Sequence, residues 1–130
     1  MAERTTPIDG VDFITLPTQD FNRAVEFYGT TLGLPESIRY GEMPGVEFET
    51  GSLTLSVIES SAFGIEFAPH THPVALHVGD VATARAELEA RGVEFPAETM
   101  DTGVCYMAHF RDPDGNALML HSRYIPRHYV

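Results

Sequence analysis

Val11-Asp12-Phe13-Ile14-Thr15-Leu16-Pro17-Thr18-Gln19-Asp20 runs into Phe21-Asn22-Arg23-Ala24-Val25-Glu26-Phe27-Tyr28, and sixty positions later the pattern returns. There Thr71-His72-Pro73-Val74-Ala75-Leu76-His77-Val78-Gly79-Asp80 runs into Val81-Ala82-Thr83-Ala84-Arg85-Ala86-Glu87-Leu88. Each stretch reads as an alternating strand, an Asp and a helix. Placing Asp20 on Asp80 places Ala24 on Ala84 and brings Leu32-Gly33-Leu34 within one residue of Arg91-Gly92-Val93. Self-similarity of this length marks a duplicated structural unit. Two half-domains are expected to share one core, with any chemistry in the cleft they form.

Asp20 and Asp80 stand where a carboxylate can accept from the free N–H groups of a first helical turn, so both are read as caps and not as catalysts. In the second helix Val81, Ala84 and Leu88 fall at helical spacing, Arg85, Glu87, Glu89 and Arg91 face water, and Gly92 is the stop. After the first helix, strands are expected at Arg39-Tyr40, Gly45 to Thr50 and Leu53 to Ile58, parted by Met43-Pro44-Gly45 and Thr50-Gly51-Ser52. After the second they are expected at Val93 to Phe95, Val104 to Arg111 and Ala117 to Ser122. Asp112-Pro113-Asp114-Gly115-Asn116 reads as a hairpin turn, because Pro113 presets φ, Asp112 can bond the turn backbone and Gly115 can take positive φ. The expected class is α+β. Two βαβββ modules, about 8–59 and 72–122, are joined by a linker at about 60–71 and followed by a C-terminal arm, 123–130. They should form a curved mixed sheet with helices on its outer face and an open concave cleft.

At 130 residues this is a single domain, long enough to bury about two thirds of its unfolded surface. No apolar run approaches the roughly 20 residues of a membrane span, and the first residues lack a signal-peptide apolar stretch, so a cytoplasmic protein with no membrane partner is expected. The formal charge of −11, from 19 acids against 8 Lys and Arg, repels phosphate backbones and argues against nucleic acid. The single cysteine, Cys105, excludes an intrachain disulfide; between Val104 and Tyr106 it reads as a buried strand thiol.

The doubled strand-helix-strands pattern, with Asp-Phe-x-x-Ala-x-x-Phe-Tyr at residues 20–28, Leu-Gly at 32–33 and Asp-Pro-Asp-Gly-Asn at 112–116, resembles the vicinal oxygen chelate superfamily. That superfamily includes glyoxalase I, bleomycin-resistance proteins and extradiol dioxygenases. The likeness implies the fold more strongly than an activity, because one scaffold hosts many functions. It also implies a divalent metal on the concave face, held by a first-strand His or Gln seven residues before the Asp cap and by a last-strand Glu. Here those positions match Phe13, Pro73 and Met119, with Thr54 as the first-half counterpart of Met119. None is a usual ligand, so no metal and no cofactor are expected. Phe13 and Met119 suit the lining of an apolar pocket instead.

Strand parity assigns Ile14, Leu16, Leu55, Val57, Leu76 and Leu120 to the face covered by helices. Phe13, Thr15, Thr54, Ser56, Ala75, His77, Ala117, Met119 and His121 then point into the cup. His77 and His121 are the candidate catalytic residues, as a proton donor and acceptor or as ligands of a relocated metal; the plainer reading is polar lining. Phe13, Thr15, Thr54, Ser56, Pro73, Ala75 and Met119 are the candidate ligand-binding set. His72 could replace a ligand only by a one-residue slip that turns over every following side chain. His70 reads as loop surface, His109 as a strand residue of unassigned facing, and His128 as tail. Glu47 and Glu49 read as solvent-facing acids or a general base. The resemblance, with these ligand positions replaced, implies a small-molecule-binding protein of the glyoxalase/bleomycin-resistance/dioxygenase type whose cleft takes an apolar or aromatic compound. The alternative is a lyase, isomerase or dioxygenase acting on a small carbonyl or phenolic substrate. A homodimer is expected, because short half-sheets leave edges and cup rims open.

Overall fold

The structure, a computed structural model, describes residues 5–127. The first module is β1 (Phe13–Thr18), α1 (Phe21–Glu26) continued by a π-helical turn (Phe27–Thr31), β2 (Glu36–Arg39), β3 (Gly45–Glu49) and β4 (Thr54–Glu59). A short 3-10 turn (Ser60–Phe63) opens the connection to the second. That module is β5 (Val74–His77), α2 (Val81–Ala90), β6 (Met100–Asp101), β7 (Cys105–Arg111) and β8 (Ala117–Arg123).

Each module makes its own four-stranded sheet, in the orders β1-β4-β3-β2 and β5-β8-β7-β6. The first strand of each pairs in parallel with the last, and the other neighbours are antiparallel. A parallel partner requires a crossover, which the helix supplies. Both helices start where expected. Asp20 accepts from the Arg23 N–H at 3.1 Å, and Asp80 accepts from the N–H and hydroxyl of Thr83 at 2.9 and 2.6 Å. The Thr83 donors hold the Asp80 carboxyl below its ordinary pKa.

The inner faces of both sheets contribute to one core. Leu16, Val46, Phe48, Leu55 and Val57 from the first join Ala108, Phe110, Leu118 and Leu120 from the second, with Ala24, Tyr28, Val81 and Leu88 from the helical segments. Burying side chains of this kind contributes about 1.5–3 kcal/mol each for the larger aliphatics and Phe.

The Asp112–Asn116 turn does more than join β7 to β8. Asp112 Oδ1 accepts from the backbone N–H groups of Asp114 and Asn116, and Oδ2 accepts from the Tyr28 hydroxyl at 2.6 Å and the Asn116 amide at 2.7 Å. The same amide donates to Pro17 O, and Asp114 accepts from the Thr18 hydroxyl and the Gln19 N–H. The turn is therefore a polar clamp between the modules. Burial and the neighbouring Asp112 carboxylate push the Tyr28 phenol well above its ordinary pKa.

Two sequence expectations fail at element level. Val93 to Phe95 is not a strand; Val93 is buried, Phe95 packs on Phe110 with ring centroids 5.2 Å apart, and the partner of β7 is β6. Pro96 explains the shift, since a proline cannot donate to a ladder at the place where the strand would have continued. The second strand of the first module is Glu36–Arg39, with Tyr40 just beyond its end. In the C-terminal arm, Tyr124 and Ile125 donate to Val104 O, and the Tyr124 hydroxyl donates to Asp101 at 2.6 Å. This part of the arm packs on its own module. His128 lies outside the described residues.

Candidate functional site

On the first sheet the ladders set Phe13 opposite Thr54 and Thr15 opposite Ser56, with Glu49 and Glu47 continuing the same two rows on β3. The cup face therefore carries both glutamates, and neither is a free surface acid. Glu49 accepts from the Ser37 and Thr54 hydroxyls, which hold its carboxyl below the usual range. The Tyr40 hydroxyl donates to Glu47. Because a carboxylate can only accept, the phenol proton points there, and the Ser56 hydroxyl, 2.7 Å away, donates to the phenol oxygen. Burial, then the Glu47 carboxylate, raises the Tyr40 pKa.

Tyr40 can lie across this face only because residue 45 is glycine. A Cβ there would stand 2.1 Å from the Tyr40 ring. Beneath the ring Ser56 is only 2 % exposed, so it presents its hydroxyl to Tyr40 and is not open lining. Sequence reasoning missed this cover, since nothing in strand parity states where a side chain beyond the strand end will fold back.

On the second sheet one row of the cup face is Ala75, Met119 and His109, and the next is His77, His121, Met107 and Met100. His77 and His121 are direct neighbours on parallel strands, as parity indicated. His109 joins them on the same face. The turn centred on Asp114 could have revealed it, because a hairpin that pairs Arg111 with Ala117 must pair His109 with Met119. Burial first, then Arg123, Arg127 and His77, lower the His121 pKa from its ordinary value.

The ladders also correct one matched position. Val74 pairs with Leu118 as Ile14 pairs with Leu55, so Met119 corresponds to Ser56 and not to Thr54. The positions that the resemblance assigns to metal ligands are therefore Phe13, Ser56, Pro73 and Met119. A ring, a hydroxyl engaged with Tyr40, a proline and a thioether do not fit a hard or borderline divalent ion. Among the described residues no three His, Cys, Asp or Glu side chains are grouped to hold a metal ion.

The candidate ligand-binding residues fall on two faces. Phe13, Thr15, Thr54 and Ser56 belong to the first sheet; Ala75, His77, Met119 and His121 belong to the second, with Pro73 immediately before β5. A groove of about 640 Å³ runs along the inner side between the modules. Ile14, Leu34, Leu55, Leu76, Leu88 and Leu120 line it, and Glu87 and Arg91 add charge. Of the candidates only Ala75 and His77, on the edge strand β5, also reach this groove. Its volume lies in the range of small-molecule pockets. Cys105 is buried, with its sulfur 3.1 Å from the Thr102 hydroxyl.

Among the described residues no helix is long and apolar enough to cross a membrane. A YraH protein of Bacillus subtilis is 29% identical over 120 residues, 83% of this chain and 94% of the relative. A glyoxalase/bleomycin resistance protein/dioxygenase from Nocardioides has a similar structure, with 25% identity, a TM-score of 0.75 and coverage of 97% of this chain and 93% of that one. Lactoylglutathione lyase from Agrobacterium tumefaciens shares the fold at 18% identity and TM-score 0.75, over 88% of this chain and 94% of its own. Residues 10–120 match the family model of the Glyoxalase/Bleomycin resistance protein/Dioxygenase superfamily, and the chain belongs to that superfamily.

Proposed function

We propose that this protein binds a small apolar or aromatic molecule, without a divalent metal at the superfamily's usual positions, and that it acts as a cytoplasmic homodimer. The observation that carries the reading is the residue set Phe13, Ser56, Pro73 and Met119: none offers the nitrogen or carboxylate donor a chelate would need, Ser56 and Met119 are buried, and Phe13 supplies open apolar surface. Phe13 is 53 % exposed on the first cup face, and Ile38, on the same face, is 54 % exposed. Large apolar side chains left open in this way favour a ligand or a second subunit above them. The Tyr40, Glu47 and Ser56 chain beside them supplies a few fixed polar groups, the usual means of orienting a ligand in an otherwise apolar site.

A thermal-shift screen of small aromatic acids, phenols and carbonyl compounds tests the reading. A ligand at about a hundred times its dissociation constant adds about 2.7 kcal/mol to stability, and Phe13→Ser should weaken its binding while the fold is kept. A screen in which no compound raises the melting temperature contradicts the proposal.

The second reading is catalysis by His77 and His121. Their pairing on adjacent strands of one face favours it, because two neighbouring imidazoles can divide the roles of acid and base. Turnover of a carbonyl or phenolic compound that is lost in both His77→Ala and His121→Ala would favour this reading over binding alone.

A further inference from the structure

The second cup face concentrates soft donors. The chain has five methionines and six histidines, and this single face of one four-stranded sheet carries three of each: Met100, Met107, Met119, His77, His109 and His121. Within one row, His77 on β5 lies directly opposite His121 on β8, and His121 lies directly opposite Met107 on β7. Same-face neighbours on adjacent strands have Cβ atoms about 4.5–5.5 Å apart, so an ion above His121 is within reach of both flanking side chains. We infer that His77, His121 and Met107 form a site for a soft monovalent metal ion, Cu(I).

The donor chemistry selects the ion. Thioether sulfur binds Cu(I) well and divalent zinc, manganese or magnesium poorly, whereas imidazole serves copper in either case. No strand residue on this face is a carboxylate, because Asp101 on β6 pairs with Tyr106 and so belongs to the opposite face. Arg111 and Arg123 stand at the two ends of the face and disfavour a doubly charged ion more than a singly charged one. Burial, with the neighbouring arginines, lowers the His121 pKa from its ordinary value and so favours the neutral imidazole, the form that binds a metal. His77 is exposed and His121 and Met107 are half-buried, which gives the ion a way in. The site lies off the positions that the superfamily uses for its divalent metal, since only Met119 of those belongs to this sheet's cup rows, and to the adjacent row.

The test titrates the full chain with Cu(I), anaerobically and under ascorbate, against the chromophoric chelator bicinchoninate. The wild-type protein should withdraw one equivalent of copper. His77→Ala and Met107→Leu should each weaken this by roughly tenfold or more, with thermal melts showing that both remain folded. Cys105→Ser should behave as wild type, because the buried thiol is not one of the donors. Zn(II) offered against a zinc indicator under the same conditions should stay with the indicator. The inference is overturned if the wild type takes no copper, if the two variants bind as tightly as wild type, if Cys105→Ser alone abolishes binding, or if Zn(II) is held equally well. The small-molecule screen in copper-free buffer does not depend on this row, so either proposal can fail without the other.

Discussion

At the scale of single residues, Gly45 and Tyr40 set the shape of the first cup. Gly45→Ala would place a Cβ 2.1 Å from the Tyr40 ring, so the ring must swing out and uncover Ser56. The expected cost is about 1–3 kcal/mol, read as a lower urea midpoint, together with increased tyrosine exposure. His121 gives a pH signature. Its folded-state pKa lies below its ordinary value of about 6.5, so protonation favours the unfolded chain. The stability is fully present above the unfolded pKa and is lost as pH falls through the folded one. Urea melts at pH 7.5 and pH 5 should therefore show a loss at pH 5 that is smaller in His121→Gln. Alternation alone was enough to assign Phe13, Thr15, His77 and His121 to their faces, and the ladders pair them so. The cover of Ser56 was not legible, because it arises from Tyr40, sixteen positions away and outside any strand.

At the scale of elements, the Asp112–Asn116 turn ties the second module to β1 and the first helical segment. Asp112→Ala removes the acceptor of the buried Tyr28 hydroxyl and of the Asn116 amide, and leaving a buried donor unpaired costs about 1–3 kcal/mol each. A destabilisation of about 3 kcal/mol or more is expected by chemical denaturation, against a small effect for Asp80→Asn, whose cap remains an acceptor. The turn itself could be read from Pro113 and Gly115. Its role as a clamp could not, since Tyr28, Pro17 and Thr18 are distant in sequence and only the packed core brings them to it. Val93 to Phe95 shows the opposite case: an alternating stretch with the pattern of a strand packs on the core through Val93 and Phe95, and the edge pairing falls to Met100 and Asp101, which carry no strand signature of their own.

At the scale of the whole molecule, the duplication was the most legible feature, because the two ladders correspond residue by residue when Asp20 is set on Asp80. The site was less so, since the residues that line it derive from two separate sheets. Exposed Phe13, Ile38 and Met100 imply a cover, and a second copy of the chain should supply it. Light scattering at micromolar concentration should give twice the monomer mass. Ligand binding is expected to need no divalent metal. The direct measurement is the melting-temperature rise produced by the best compound of the screen, taken with protein in EDTA and with protein supplied with Zn(II), Ni(II), Mn(II), Fe(II) or Co(II). The same rise is expected in every case; a rise abolished by EDTA and restored by one of these ions would show instead that a divalent metal is required.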